Sequence, residues 1–431
     1  MSEQHEVLGV TLRRTERPMT VLGLVAWRSL WSMGKGAGAS AFMRSPVALA
    51  AAGHRVHLIQ PCAAGEEGEA EYAGVRFHKY RSPEILSNPQ LPLPVRLWER
   101  AWRYGYYQLT APRRAVQLAR RITPDLVVAY GIMTTPAART TARRLGLPLA
   151  ARYFGNTLSL ALHKPLSWQG NFMERIGFRI PVCAMVMTND SSPALEVFRR
   201  LGVDRRPVHF LRNGIPEETF SPGPRSPEVI DRLGVSKTAF ILMCVTRLHS
   251  EKRLDRAIRA LAGLHQRGMT RAVLALPGDG PEKPALERLA AELGVTDHVH
   301  FPGPVPNRAL AAWYRTADVV LSLLDRTNGG NPTCEAMACG RCVVALDVGT
   351  TNEVVKDGET GVLVPPTKVD DLPRILEALA GDPDRREALG RRARPFVLEL
   401  CGTVKERLER EIGILEEVAH TRAVVPGNLE G

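Results

Sequence analysis

The chain has 431 residues, 44% of them hydrophobic and 24% charged. That composition excludes a disordered chain, and that length suits two or three domains with cores large enough to need no disulfide or metal staple. The formal charge of +12 admits nucleic acid, an anionic membrane surface or phosphorylated small molecules as partners. No zinc-finger, KH or RRM signature accompanies it, so nucleic acid is not expected. No run of about 18 apolar residues is present, so nothing is expected to span a bilayer. Seven cysteines follow the polar start MSEQHEVLGVTLRRTERP, which lacks the apolar stretch of a secretory signal. A reducing cytoplasm is therefore expected, with most cysteines acting as small apolar residues.

In chain order, TVLGLVAW (20–27) reads as a buried strand, followed by a Gly-rich loop, a helix and a strand at RVHLI. PDLVVAYG (124–131) is a strand, TPAARTTARRLG a helix, and further strands fall near LPLAARYFG, VCAMVMTND and VHFLRNG. The second half continues with a strand at TAFILMCVTRL and a helix over SEKRLDRAIRALAGLHQRG, capped at its start and stopped by Gly. Strands at RAVLALPGDGP, HVHFPGPV, DVVLSLL and RCVVALDVG then alternate with helices at KPALERLAAELGV, NRALAAWYRTA and NPTCEAMACG. Strand alternating with helix predicts an α/β fold, with parallel sheets covered on both faces. NGIPEETFSPGPRSPEVIDR, rich in Pro, Gly and charge, breaks the rhythm near 213–236. The expected organisation is residues 1–213, residues 214–395, and 396–431 as a C-terminal helix, able to pack back on the N-terminal domain, with a frayed tail.

Several stretches carry candidate chemistry. Gly36 and Gly38 in GKGAGAS would let backbone N–H groups approach an anion, although the third Gly of a dinucleotide fingerprint is replaced by Ala41. Arg247 and Lys252 in TRLHSEKRLD sit just past a strand's carboxyl end, where a guanidinium fork and an ammonium point charge can grip a diphosphate. In NGGNPTCEAMACG, Asn331 suits an N-cap and Pro332 the first helical position. The N–H groups of Thr333 and Cys334 are then expected to be free for an anion at the positive end of the helix dipole. Glu335 follows, placed to accept hydrogen bonds from hydroxyls such as those of a ribose, and Gly329 and Gly330 permit close backbone approach. Cys334, Cys339 and Cys342 have part of a plant-type iron–sulfur spacing. They flank the helix former EAMA and open the apolar strand CVVAL, which favours packing over a cluster, and no zinc knuckle accompanies them. The run VRLWERAWRYGYYQLTAPRRAVQLARR (95–121) mixes Trp, Tyr and Arg. It reads either as a helix packing its aromatics inward or as an amphipathic surface resting on anionic lipid headgroups.

Together the segments TRLHSEKRLD, VHFPGPV, LAAWYRTADVVLSL and CEAMACGRCVVALDVGTTNEVVKDGETGVLVPP, with AAAGHRVHLIQP and FLRNGIPEETFSPG earlier, occur in a specific order. That order resembles the retaining nucleotide-sugar glycosyltransferases of family 4, group 1. The resemblance covers most of the chain. It implies the GT-B architecture, two facing Rossmann-like doubly wound domains with an interdomain cleft, the N-terminal domain binding the acceptor and the C-terminal one the nucleotide sugar. It implies that Arg247 and Lys252 bind the donor diphosphate and that Glu335 holds the ribose hydroxyls. Gly278, Asp279, Gly280 and Val305 would wall the base, and Asn328, Gly329, Gly330, Asn331 and Pro332 would line the donor sugar and phosphates. The family often has a first acid eight residues before the second, where this chain has Thr327, and a His in an N-terminal turn, where RYFGN offers Arg152 and Asn156. With two cations present, no metal cofactor is implied. The expected activity is sugar transfer with retention to an acceptor hydroxyl, at the cytoplasmic side or peripheral to an anionic membrane. A GT-B epimerase or phosphorylase, and a degenerate nucleotide-sugar-binding protein, are the alternatives. No motif in 61–115 identifies the acceptor.

Overall fold

The computed structural model describes residues 8–27, 41–83, 92–162, 165–188, 191–203, 207–325 and 330–420. Two compact units emerge. One comprises the chain up to Arg212 together with the segment from Val404 onward, and the other is Asn213–Thr403.

The first unit holds eight strands: β1 (Thr20–Leu24), β2 (Arg55–Cys62), β3 (Gly68–Tyr72), β4 (Val75–Arg81), β5 (Leu126–Tyr130), β6 (Leu149–Tyr153), β7 (Ala184–Thr188) and β8 (Val208–Leu211). Their order is β3-β4-β2-β1-β5-β6-β7-β8. All neighbours are parallel except β3, which pairs antiparallel with β4. β1, β5, β6 and β7 are buried at every position. Such strands read as continuous apolar runs because helices cover both faces of a parallel sheet. The covering helices include α1 (Ala41–Ala51), α2 (Leu93–Ile122) and α3 (Thr135–Leu145).

The second unit has β9 (Phe240–Met243), β10 (Ala272–Ala275), β11 (Val299–His300), β12 (Val319–Ser322), β13 (Cys342–Leu346) and β14 (Val362–Val364), ordered β11-β10-β9-β12-β13-β14. Every pair is parallel. Its helices include α4 (Leu254–Gln266), α5 (Asn331–Ala338) and α6 (Pro383–Cys401). Each sheet carries two apolar clusters, one per face. The α/β reading of the sequence is thus the observed one.

Two features differ from the sequence expectation. The hairpin β3–β4, turning at Ala73 with φ 51° and Gly74 with φ 80°, lies in a stretch without an expected strand. The expected division at 395/396 falls inside α6, which stays in the second unit, and a separate helix, α7 (Val404–His420), belongs to the first. α7 buries Val404, Leu408, Ile412 and Leu415 in the cluster that also holds Val21, Val47 and Leu58. Among the described residues no helix is long and apolar enough to cross a membrane.

Candidate functional site

In the second sheet β9 is central, with β10 on one side and β12 on the other. That reversal of strand order opens a crevice beyond the carboxyl ends of β9 and β12, the usual ligand position in open parallel sheets. A recess occupies it. Its wall consists of residues 244–246 after β9, 322–324 after β12, Lys252 to Leu254 before and at the start of α4, and Gly330, Pro332 and Thr333 at the start of α5.

The connection from β9 to α4 shapes this wall. Ser250–Lys252 form one tight turn, and Arg253 then takes a left-handed conformation, φ 50°. The helix expected from Ser250 therefore starts only at Leu254, and Ser250 does not cap it. Arg253 compensates for its unusual backbone by fork-like bonds. Its Nε and Nη2 donate to Asp255 at 3.0 Å each, and its Nη1 donates to Asp325 at 2.9 and 3.2 Å. Arg256 adds an ion pair to Asp325 at 2.6 Å and donates to the Leu323 carbonyl at 2.8 Å. Burial works against the Asp325 charge, but the bonds from Arg253 and Arg256 outweigh it and hold the pKa below the usual carboxylate value. These arginines tie the start of α4 to the exit of β12 and fix Lys252 at the recess. Nothing in the local sequence marks Arg253. Its charge pattern with Asp255 is visible, but its partner Asp325 comes from another strand end.

Arg247 lies on the same connection and is exposed, whereas Lys252 keeps a quarter of its side-chain surface open. Glu251 stands between them, 3.9 Å from Arg247 and 3.3 Å from Lys252. Burial again opposes its charge, and Lys252 and Arg247 overcome that and lower its pKa. Gly278 and Gly280 brace the connection from behind. A Cβ on Gly278 (φ 155°) would stand 1.9 Å from the Thr246 carbonyl oxygen, and one on Gly280 2.2 Å from that of Leu248. The close approach lets Leu248 N donate to Asp279 O at 2.9 Å and Glu282 N to Leu248 O at 3.1 Å. Gly278, Asp279 and Gly280 thus shape the loop behind the recess wall, and Val305 packs half-buried against the core on that sheet's other face.

At α5 the structure corrects the capping expectation. Gly330 is the cap residue, and Asn331 is already helical. The Asn331 side chain instead accepts from Asn213 Nδ2 at 3.1 Å. The N–H groups of Thr333 and Cys334, expected to be free, both point to the Gly330 carbonyl, at 3.1 and 3.5 Å. The Thr333 hydroxyl donates to Ser322 Oγ at 3.2 Å, joining α5 to β12. Glu335 accepts from the Tyr314 hydroxyl at 2.9 Å. Burial, with Glu335 beside it, pushes the Tyr314 phenol well above its ordinary value, so it remains a donor that fixes the carboxylate.

Cys334 and Cys339 sit at α5 and Cys342 opens β13, all buried, and Cys334 Sγ lies 3.9 Å from Cys401 Sγ. Burial pushes the thiols of Cys339 and Cys342 up to about 12, so they stay protonated and apolar near neutral pH.

In the first unit Arg152 is not sugar-facing. It is buried, ion-paired to Glu411 of α7 at 3.0 Å, and it donates to Thr188 Oγ1 at 2.6 Å and to the Tyr153 carbonyl at 2.5 Å. Asn156 Oδ1 accepts from Ser159 N at 2.7 Å, closing a turn. Gly36, Gly38, Thr327, Asn328 and Gly329 lie outside the described residues. Of the expected donor residues, the structure gathers Lys252, Gly330, Pro332 and Thr333 around one recess, with Arg247 and Glu335 on the segments that carry them.

A recess with an ammonium in its wall, a guanidinium beside it and a fixed carboxylate on the next helix can take a phosphorylated ligand that also bears hydroxyls. Residues 226–396 match the family model "Glycosyl transferases group 1", and residues 36–214 match "Glycosyl transferase 4-like domain". The D-inositol 3-phosphate glycosyltransferase of Kribbella flavida is 37% identical over 48% of this chain and 51% of its own length. The GDP-mannose-dependent alpha-(1-6)-phosphatidylinositol monomannoside mannosyltransferase of Mycolicibacterium smegmatis is 35% identical over 44% of this chain and 52% of its own. The chain thus spans about half the length of these curated relatives. Among solved structures, sucrose-phosphate synthase of Thermosynechococcus elongatus superposes with a TM-score of 0.71 at 18% identity, covering 93% of this chain and 99% of that one. HepE of Anabaena, solved in complex with UDP-glucose, gives a TM-score of 0.67 at 18% identity over 93% of this chain and 100% of its own. These likenesses establish the GT-B-like fold, and with the two family models covering most of the sequence, the chain belongs to the group 1 glycosyltransferases.

Proposed function

We propose that this chain moves a glycosyl group from a nucleoside-diphosphate sugar to an acceptor hydroxyl, with retention at the anomeric carbon. The observation that carries the reading is the recess at the β9/β12 switch point with Lys252 in its wall. As the sugar–phosphate bond breaks, negative charge grows on the leaving diphosphate. Lys252 offers a point charge and Arg247 a planar fork, so electrostatic stabilisation of that charge supplies much of the rate. Glu251, which now stands between the two cations, gives way to the more highly charged diphosphate. Glu335, oriented by Tyr314, accepts hydrogen bonds from ribose hydroxyls. Gly278, Asp279, Gly280 and Val305 bound the base. Asn328, Gly329, Gly330, Asn331, Pro332 and Thr333 line the sugar and phosphates, and the backbone N–H groups of Gly36 and Gly38 are a separate candidate for an anion in the first unit. The acceptor oxygen attacks the face that the diphosphate leaves, and its proton passes to the departing phosphate oxygen. With two cations at the diphosphate, no divalent metal is required. The first unit takes the acceptor, Asn156 there and Thr327 of the second unit are the sugar-facing candidates, and the proposed site of reaction is the cytoplasmic side.

The test is transfer by the purified chain from a panel of nucleoside-diphosphate sugars to extracted acceptors, with the product's anomeric configuration read by NMR. Retained configuration is expected. An inverted product, or epimerised donor with no transfer, overturns the reading.

A further inference from the structure

α2 is 30 residues long, roughly 45 Å at 1.5 Å per residue. Tyr104, Tyr107, Ala111, Ala115 and Leu118 turn inward and are buried in the first unit's core. At about 100° per residue, Val95, Trp98, Trp102, Tyr106 and Leu109 fall within an arc roughly 80° wide on the opposite side. They are 49%, 69%, 50%, 37% and 65% exposed. The Trp102 and Tyr106 rings touch, with centroids 5.6 Å apart. An ordinary amphipathic helix carries charge on its outward side, and a contiguous apolar face there marks an interaction surface.

The same line continues along the helix to Arg113 and Arg120, both exposed. The helix sequence holds seven arginines and one acid, Glu99, which is already paired with Arg103. Its charge therefore complements an anionic surface. A second copy of this chain would set one arginine-rich helix against another in a chain of net charge +12, which like-charge repulsion disfavours.

We propose that the outward face of α2 docks on a bilayer that contains anionic phospholipid. Trp98, Trp102 and Tyr106 sit at headgroup depth, where a ring with an apolar body and a polar edge is favoured, and Arg113 and Arg120 meet the phosphates. Docking involves no donor-site residue, so it stands or falls separately from the transfer reading.

The experiment is co-sedimentation of the full chain with vesicles of phosphatidylcholine alone and of phosphatidylcholine with one-third phosphatidylglycerol. At least five-fold more protein is expected to sediment with the anionic vesicles. Trp98→Ser/Trp102→Ser should lower that binding at least ten-fold, whereas Arg113→Glu/Arg120→Glu should remove only the gain from phosphatidylglycerol. Circular dichroism checks that the variants fold. Quenching of wild-type tryptophan emission by brominated acyl chains reads insertion without any substitution. No sedimentation with anionic vesicles, unchanged binding by the tryptophan variant, or no quenching overturns the proposal. So does a concentration-dependent dimer, abolished by the tryptophan variant, in a protein that ignores vesicles.

Discussion

Gly278 shows how a single residue serves the site without touching a ligand. Its missing Cβ is what lets the loop after β10 lie on the loop after β9, which carries Arg247. Gly278→Ala would force the two loops apart, because the obstacle is the Thr246 carbonyl and not a flexible side chain. The expected cost is about 1–3 kcal/mol of stability, as for other overpacked positions. Binding of nucleoside-diphosphate sugar, measured by calorimetry, should weaken at least ten-fold. Wild-type affinity in this variant would show that the brace is unimportant. The motif around Gly278 was readable in the sequence, but its physical reason was not, since backbone crowding appears only once the two strands are neighbours. Arg152 was misread for a similar reason. Its turn suggested a ligand-facing side chain, while its partner Glu411 stands in α7, about 260 residues further along.

That partner belongs to an element whose place the local pattern could not supply. α7 returns to the first unit, and its Glu411 joins Arg152, Arg407 and the Ser45 hydroxyl in one buried network. Burial raises the carboxylate's energy, but Arg152, Arg407 and Ser45 together hold its pKa below the usual value. Removing one member of a buried pair leaves charge poorly compensated. Arg152→Ala is therefore expected to cost about 3–5 kcal/mol, read by urea denaturation, while Arg152→Met/Arg407→Leu/Glu411→Leu, which removes all three buried charges together, should cost much less. Equal losses in the two variants would contradict the pairing. The hairpin β3–β4 was missed although signals existed. Val75 and Phe77 alternate with exposed neighbours, and Ala73-Gly74 makes a two-residue turn of left-handed conformation, the geometry that tight hairpins prefer. The charged residues of β3, an edge strand, hid the pairing.

At the scale of the molecule, the α/β architecture was legible because strands buried on both faces leave apolar runs that few other structures produce. The strand ends were legible with them, which placed Lys252 and the NPTCE segment beside the switch point. The geometry between the ends was not. Arg253 with its left-handed backbone, the clasp on Asp325 and the Gly330 cap all depend on which strand neighbours which. The net charge of +12 acquires a division of labour: Arg247 and Lys252 at the second unit's recess, and the arginines of α2 on the first unit's surface. The most direct measurement of the central claim is titration of wild-type and Lys252→Ala protein with a panel of nucleoside-diphosphate sugars. The account predicts saturable binding of at least one such sugar at a single site, weakened ten-fold or more by the substitution with the melting temperature unchanged. Equal affinity in the two proteins would contradict it.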